Sequence, residues 1–246
     1  MSLAPGTEHV PRYVFVVTYG RSGSTLTQGM LNTLPRTLVR GENSFYLLPL
    51  FRAYSSLASF KDRYGGPRAA RPESAFYGLP DADLEGFAAS VRELVQRQLL
   101  GEVPVADVDH LGFKEVLWHR IRAREWEPFF AFLDLAFDNP RYVLNRRDVA
   151  MASTSGFWRK KKPGVAERQI DRVRRLQDHL RESRPERCFD TQFEAIVSDD
   201  REVAADQLRR LAEFVHGGCD DDLLAAMLAT RETGHGPNPF GKARTG

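Results

Sequence analysis

The hydrophobic pattern opens with an almost unbroken apolar run, Tyr13-Val-Phe-Val-Val-Thr-Tyr19, stopped by Gly20. A short β-branched and aromatic run of this kind predicts a strand buried on both faces of a parallel sheet. After Gly20-Arg-Ser-Gly-Ser-Thr25, residues Leu26, Met30, Leu31 and Leu34 recur at helical spacing until Pro35. Thr37-Leu-Val-Arg40, broken by Gly41, predicts a second strand, and helical spacing resumes over 44–60. An amphipathic helix over 81–100 carries Leu84, Phe87, Ala88, Val91, Leu94, Val95 and Leu99 on one side. Residues 111–118 predict a third strand, 128–137 a helix, Arg141-Tyr-Val-Leu-Asn145 a fourth strand, and a helix begins near Asp148. The charged segment 165–184 and the segments 202–215 and 221–229 read as helices, with a last strand over 187–193.

Strands alternating with helices, without an internal repeat or a dividing linker, predict a single α/β domain over 1–246. Its central sheet is expected to be mainly parallel, with helices on both faces and a P-loop-like phosphate-binding strand-loop-helix at its start. The polar start, 1–11, reads as a loose N-terminal arm. Residues 61–80 concentrate Gly65, Gly66, Pro67, Pro72, Gly78 and Pro80, the mark of a long binding loop. The end, 231–246, carries four glycines or prolines before Gly241 and reads as a mobile tail.

Composition narrows the function classes. Hydrophobic residues make up 42% of the 246 and charged residues 28%, which supports a packed core and excludes a disordered chain. Lys+Arg 35 against Asp+Glu 33 leaves +2, no general basic excess for nucleic acid. No apolar run approaches about 18 residues, so no membrane span is expected. The start lacks an apolar signal segment, and Cys188 and Cys219 lack metal or redox spacing, so a reducing, cytoplasmic setting is expected. The six histidines never fall into H-x-x-x-H spacing, so no metal site is expected.

The chemistry gathers first at the glycine loop. Between a buried strand and a helix, the backbone N–H groups of Gly20, Arg21, Ser22, Gly23, Ser24 and Thr25 face an anion at the positive end of the helix dipole. Arg21 adds a planar cation and the three hydroxyls add donors. The loop is not a Walker A motif: Gly20 and Gly23 stand too close, and Ser24 follows the glycine where a lysine is needed.

Thr18-Tyr-Gly-Arg-Ser-Gly-Ser-Thr-Leu26 resembles the 5′-phosphosulfate loop of sulfotransferases that use 3′-phosphoadenosine 5′-phosphosulfate (PAPS). A second motif, Arg147-Asp-Val-Ala-Met-Ala-Ser-Thr-Ser-Gly-Phe-Trp158, strengthens the resemblance. In that family an arginine at the strand end and a serine eight positions later bind the donor's 3′-phosphate, which here selects Arg147 and Ser155. Arg146 and Ser153 are the register alternatives. Eight residues are a little over two helical turns, so the two side chains would face one direction.

The resemblance also implies a base for the acceptor and a cation for the transferred group. Glu42 lies just past the second strand, at the sheet edge where ligands bind in open α/β folds, and is the first candidate base. Lys114, near the end of the third strand, is the candidate stabiliser of the sulfonate, and Glu115 is the rival base. The family's cytosolic branch carries a histidine near this strand; Val116 stands there here, and His119 reads as a rim or core residue. Tyr64, Phe76 and Tyr77, in the loop over 61–80, are expected to wall an acceptor site. Arg159-Lys-Lys-Lys162 reads as a solvated basic run able to attract an anionic donor, and Gly241-Lys-Ala-Arg244 echoes a loop that closes over the nucleotide. The expectation is a PAPS-dependent sulfotransferase for a small-molecule or carbohydrate hydroxyl or amine, without metal. Its rivals are a P-loop nucleotide or small-molecule kinase and a non-catalytic nucleotide-binding module.

Overall fold

The computed structural model describes residues 9–154, 156, 158 and 164–233. Five strands form the sheet: β1 (Arg12–Val17), β2 (Thr37–Arg40), β3 (His110–Glu115), β4 (Arg141–Arg146) and β5 (Cys188–Gln192). They lie in the order β2-β3-β1-β4-β5, and every neighbouring pair is parallel. Among the described residues the helices are α1 (Ser24–Leu31), α2 (Leu47–Tyr64), α3 (Leu84–Leu100), α4 (Trp126–Phe137), α5 (Val149–Ser153), α6 (Val165–Ser183), α7 (Phe193–Ile196), α8 (Arg201–His216) and α9 (Asp221–Thr233).

The apolar run of β1 is buried on both faces, as its composition predicts. Tyr13, Phe15 and Val17 join one apolar group with Phe51 of α2, Val95 of α3, Phe129 of α4 and Leu176 of α6. Val14 and Val16 join the other, with Met30 of α1, Leu208 of α8 and Met227 of α9. Each fully buried side chain of this size contributes about 1.5–3 kcal/mol, so the two layers pin the centre strand, and with it the loop that follows. Gly112 of β3 is required here, because a Cβ on it would overlap the carbonyl of Val14 on β1.

Most elements match the periodicity, and the departures have local causes. The third strand stops at Glu115 rather than at 118, because the Glu115 carboxylate accepts the amides of Val116 (2.7 Å) and Leu117 (3.1 Å). The chain then turns into a 3₁₀ segment, Leu117–Arg120, which drops Trp118 into the core. The second helix starts at Leu47 rather than near 44, since Ser44 (φ 63°) and Phe45 (φ 56°) are left-handed. It then runs on to Tyr64, and two 3₁₀ turns, Pro67–Ala70 and Leu79–Asp81, follow within the expected loop.

Of the expected N-terminal arm only its last residues are described, and His9 is tied down there by its ring Nε2 on the Val108 carbonyl (2.8 Å). Of the expected tail, residues 231–233 belong to α9, where Arg231 donates to the Ser198 carbonyl (2.9 Å). The remainder of both segments, and the basic stretches 159–162 and 241–244, lie outside the described residues.

Candidate active site

β1 stands at the point where the strand order reverses, with β3 on one side and β4 on the other. In open parallel sheets a crevice forms at the carboxyl end of such a strand, and the glycine loop is delivered there. Arg21 (φ 67°) and Gly23 (φ 79°) both take the left-handed conformation. Three successive loop carbonyls are engaged from the protein side. Gly20 accepts from Trp158 Nε1, Arg21 from Arg147 Nη1 and Ser22 from Asn145 Nδ2, each at 3.0 Å. In a trans peptide the next N–H points opposite to its carbonyl, so the amides of Arg21, Ser22 and Gly23 face away from these donors. The amides of Ser22 and Gly23 meet no acceptor among the described residues. Together with the N-terminus of α1 they leave backbone donors open at the crevice, the arrangement that an anion cradle would need.

The loop's side chains divide differently from expectation. Ser22 is fully buried, and its hydroxyl bonds Thr18 Oγ1 (2.6 Å), so Ser22 offers its backbone amide rather than its hydroxyl. Ser24 is buried at the first position of α1, Thr25 is exposed, and the Arg21 side chain packs against Gly156. Gly23 is the one residue the position admits: a Cβ there would fall inside the Phe193 ring.

Beneath the loop lies a network that periodicity does not reveal. Asn145, fully buried at the end of β4, accepts from Thr27 of α1 (2.5 Å) and Thr191 of β5 (3.1 Å) while it holds the Ser22 carbonyl. Thr18 donates to the Asn145 carbonyl (3.0 Å), and Gln177 of α6 donates to the Val17 carbonyl (2.7 Å). The only advance signal was composition: a polar residue closing an apolar strand must find partners.

Arg147 is placed just beyond β4. Its guanidinium lies over Phe193 at 4.4 Å, and its Nε is buried without a hydrogen-bond partner among the described residues. The Tyr19 phenol grips its backbone, donating to the Arg147 carbonyl (2.6 Å) and accepting from its amide (2.8 Å). Burial raises the pKa of Tyr19, so the phenol keeps its proton and the grip holds at ordinary pH. Arg146 turns elsewhere, to Asp178 (2.7 Å) and Asp190 (3.4 Å), and Ser153 Oγ bonds back to the Ala150 carbonyl (3.4 Å). Both register alternatives are thus occupied elsewhere. Ser155 lies outside the described residues. The two-turn helical argument fails, because α5 is short: Asp148 caps its start, accepting from the Met151 amide, and Thr154 caps its end. Arg147 therefore stands before the helix, held by the loop and by Tyr19.

On the acceptor side, Lys114 Nζ meets Glu42 Oε1 at 2.6 Å. The lysine side chain is 6% exposed and the glutamate 51%, so a nearly buried cation anchors a carboxylate that faces outward. Glu115 is wholly buried. Its Oε2 accepts from Asn43 N (3.2 Å) and Phe45 N (2.9 Å), and its Oε1 takes the two amides that end β3. With four donors on two oxygens, its lone pairs are committed to backbone. His119 sits half-buried in the following turn, and burial lowers its pKa. Of the aromatic set of 61–80, Tyr64 stacks on Phe76 (4.5 Å) at the C-terminal end of α2, about 25 Å along that helix from Leu47 at 1.5 Å per residue, and Tyr77 is exposed. Phe45 and Phe51 are core residues.

Among the described residues no group of three or more His, Cys, Asp or Glu side chains could hold a metal, and no helix is long and apolar enough to cross a membrane. A family model described as "Sulfotransferase family" matches residues 11–216. Among solved structures, the sulfotransferase domain from the olefin synthase of Synechococcus PCC 7002 is similar, with 21% identity and a TM-score of 0.50. The match covers 98% of this chain and 82% of that one. At that identity the likeness speaks for the fold alone. No curated protein matches the chain.

Proposed function

The chain belongs to the sulfotransferase family, and from that premise we propose that it moves a sulfuryl group from PAPS to a hydroxyl or amine of a small-molecule or carbohydrate acceptor. The residues present fit such a donor. The loop from Gly20 to Thr25 supplies backbone donors for the 5′ end, and Arg147 has an unpartnered buried Nε for the 3′-phosphate, where the family pattern adds Ser155. The donor supplies the weak bond, between sulfur and the oxygen it shares with the nucleotide phosphate.

The observation that carries the reading is the 2.6 Å contact between Lys114 and Glu42 at the edge of the sheet. A pure binder needs neither residue there. Glu42 takes the proton of the acceptor hydroxyl as its oxygen attacks sulfur; the bond to the nucleotide phosphate breaks and the 3′,5′-bisphosphate leaves. Lys114 and Arg21 place positive charge where the leaving oxygen and the transferred group gain negative charge. Lys114 also holds the Glu42 carboxylate in place. No metal is required, so turnover is expected to survive EDTA.

Glu42→Gln tests the assignment, since it keeps shape and hydrogen bonding but cannot accept the proton. Turnover of PAPS should fall by about 10²–10⁴-fold. Affinity for 3′-phosphoadenosine 5′-phosphate, measured by isothermal titration, should stay within about twofold, because Glu42 faces the acceptor. Near-wild-type turnover overturns the base assignment. Equal affinity of the wild type for 5′-AMP and for the bisphosphate overturns the donor.

A further inference from the structure

The turn that carries Glu42 is costly to form. Ser44 and Phe45, neither of them glycine, are consecutive left-handed residues (φ 63° and 56°). An L-residue in this region brings its Cβ against the following carbonyl, and two in succession persist only where surrounding structure over-determines them. Two anchors do so. Phe45 is buried and packs against Trp118 (4.8 Å between ring centroids) and Phe129 (5.8 Å). Glu115 Oε2 takes the amides of Asn43 and Phe45, on either side of Ser44, and the Asn43 side chain shares the Phe45 amide (3.1 Å).

Consecutive residues of β3 therefore act on one turn. Lys114 reaches the Glu42 side chain, and Glu115 reaches the backbone that begins one residue later. Successive side chains of a strand point to opposite faces, so the end of β3 reaches the turn by two separate routes.

We propose that Glu115 is a positioning residue: its buried carboxylate, fixed by the two amides that terminate β3, holds the 43–45 turn in its left-handed form and so sets the Glu42 carboxylate against Lys114. This rests on the reading of Glu42 as the base. Glu115 itself touches no reacting group. It replaces the rival-base role with one that acts through Glu42.

The test is a double-mutant cycle on Glu42→Gln and Glu115→Gln. Turnover is read as release of 3′-phosphoadenosine 5′-phosphate from PAPS, with a medium-chain primary alcohol and water as probe acceptors. Glutamine at 115 keeps one acceptor oxygen but sets an NH2 group against two backbone amides. Its turnover should fall about 10- to 100-fold, with affinity for the bisphosphate within about twofold of wild type. In the Glu42→Gln background the same change should cost less than about threefold, because the group it positions is already gone. A general structural role would multiply its loss onto that background, and that result, or near-wild-type turnover of Glu115→Gln, overturns the proposal. Near-wild-type turnover of Glu42→Gln instead removes the base reading on which it stands, and is distinguished by that variant alone. Ser44→Gly gives a second arm. Glycine adopts the left-handed turn without the Glu115 contacts, so it should restore at least about fivefold of the turnover lost in Glu115→Gln. If Glu115→Gln does not fold, the cycle is read in the Ser44→Gly background; absence of any rescue there also overturns the proposal.

Discussion

Asn145→Ala is the perturbation that most directly asks whether the buried network under the glycine loop sets donor binding. The Asn145 side chain accepts from Thr27 and Thr191 and donates to the Ser22 carbonyl, with a longer contact to Thr18 Oγ1 at 3.4 Å. Truncation strands these partners without water. Thr27 lies on α1, and its hydroxyl can turn back to a carbonyl of its own helix, so its loss is small. The Ser22 carbonyl and the Thr191 hydroxyl stay buried and unpaired, at about 1–3 kcal/mol each. With about 1 kcal/mol for the small cavity, the destabilisation is about 3–7 kcal/mol. That is a large part of the ~5–15 kcal/mol typical of a domain, so the titration is made on the fraction that urea unfolding shows to be folded. Freed from Asn145, the peptide between Ser22 and Gly23 can rotate, so the Gly23 amide leaves the cradle. Affinity for 3′-phosphoadenosine 5′-phosphate should fall at least about tenfold, the equivalent of one charge-assisted hydrogen bond near 1.5 kcal/mol. Urea unfolding followed by tryptophan fluorescence gives the first quantity and isothermal titration the second. Thr191→Val is the control, since it removes one bond on the β5 side and leaves the loop held: about 1 kcal/mol of stability, with affinity unchanged. A loss below about 1 kcal/mol in Asn145→Ala, with affinity within twofold, would refute the reasoning.

Three further outcomes are expected. Gly23→Ala should abolish measurable binding of the bisphosphate by titration, because a Cβ there meets the Phe193 ring and the residue sits at φ 79°. Arg147→Ala should weaken the bisphosphate by about 1.5–3 kcal/mol while leaving 5′-AMP within about twofold; equal losses for both ligands would remove it from the 3′-phosphate. Stability should depend on pH through His110, whose pKa is pushed down from 6.5 to about 4 by burial, with His216, Arg12 and Arg141 adding repulsion and Asp109 opposing it. The unfolded chain takes up that proton below about 6.5 and the native state only near 4, so stability is full above that window and falls through it on acidification, by up to about 1.4 kcal/mol per unit. Urea midpoints at pH 7.5 and 5 should therefore converge more in His110→Asn than in the wild type.

The one-dimensional pattern carried the architecture because both of its periods are local. A continuous β-branched run such as Tyr13–Tyr19 has no half-polar face to leave outside, so it dictated a centre strand, and every later strand fell where apolar runs met turn residues. It carried the glycine loop too, since a loop between strand and helix is itself a local unit. The family resemblance, not the pattern, brought Glu42 and Lys114 forward as candidates, and they meet although 72 positions separate them. What only the tertiary structure decided is which partner claims each polar group, near or distant in sequence. Ser22 and Glu115 bear the same kinds of group as Ser24 and Glu42, yet Thr18, across the loop, claims the Ser22 hydroxyl, and a turn 70 positions away claims the Glu115 carboxylate. The start of α2 likewise depended on two left-handed residues before it that composition does not mark. Asn145 looked like the last residue of a strand, but 123 and 118 positions separate it from Ser22 and Thr27, which it joins. Hydrophobic burial is roughly additive and non-directional, so its pattern survives in sequence; hydrogen bonds are directional and paired, so which buried group meets which is settled only when the layers close.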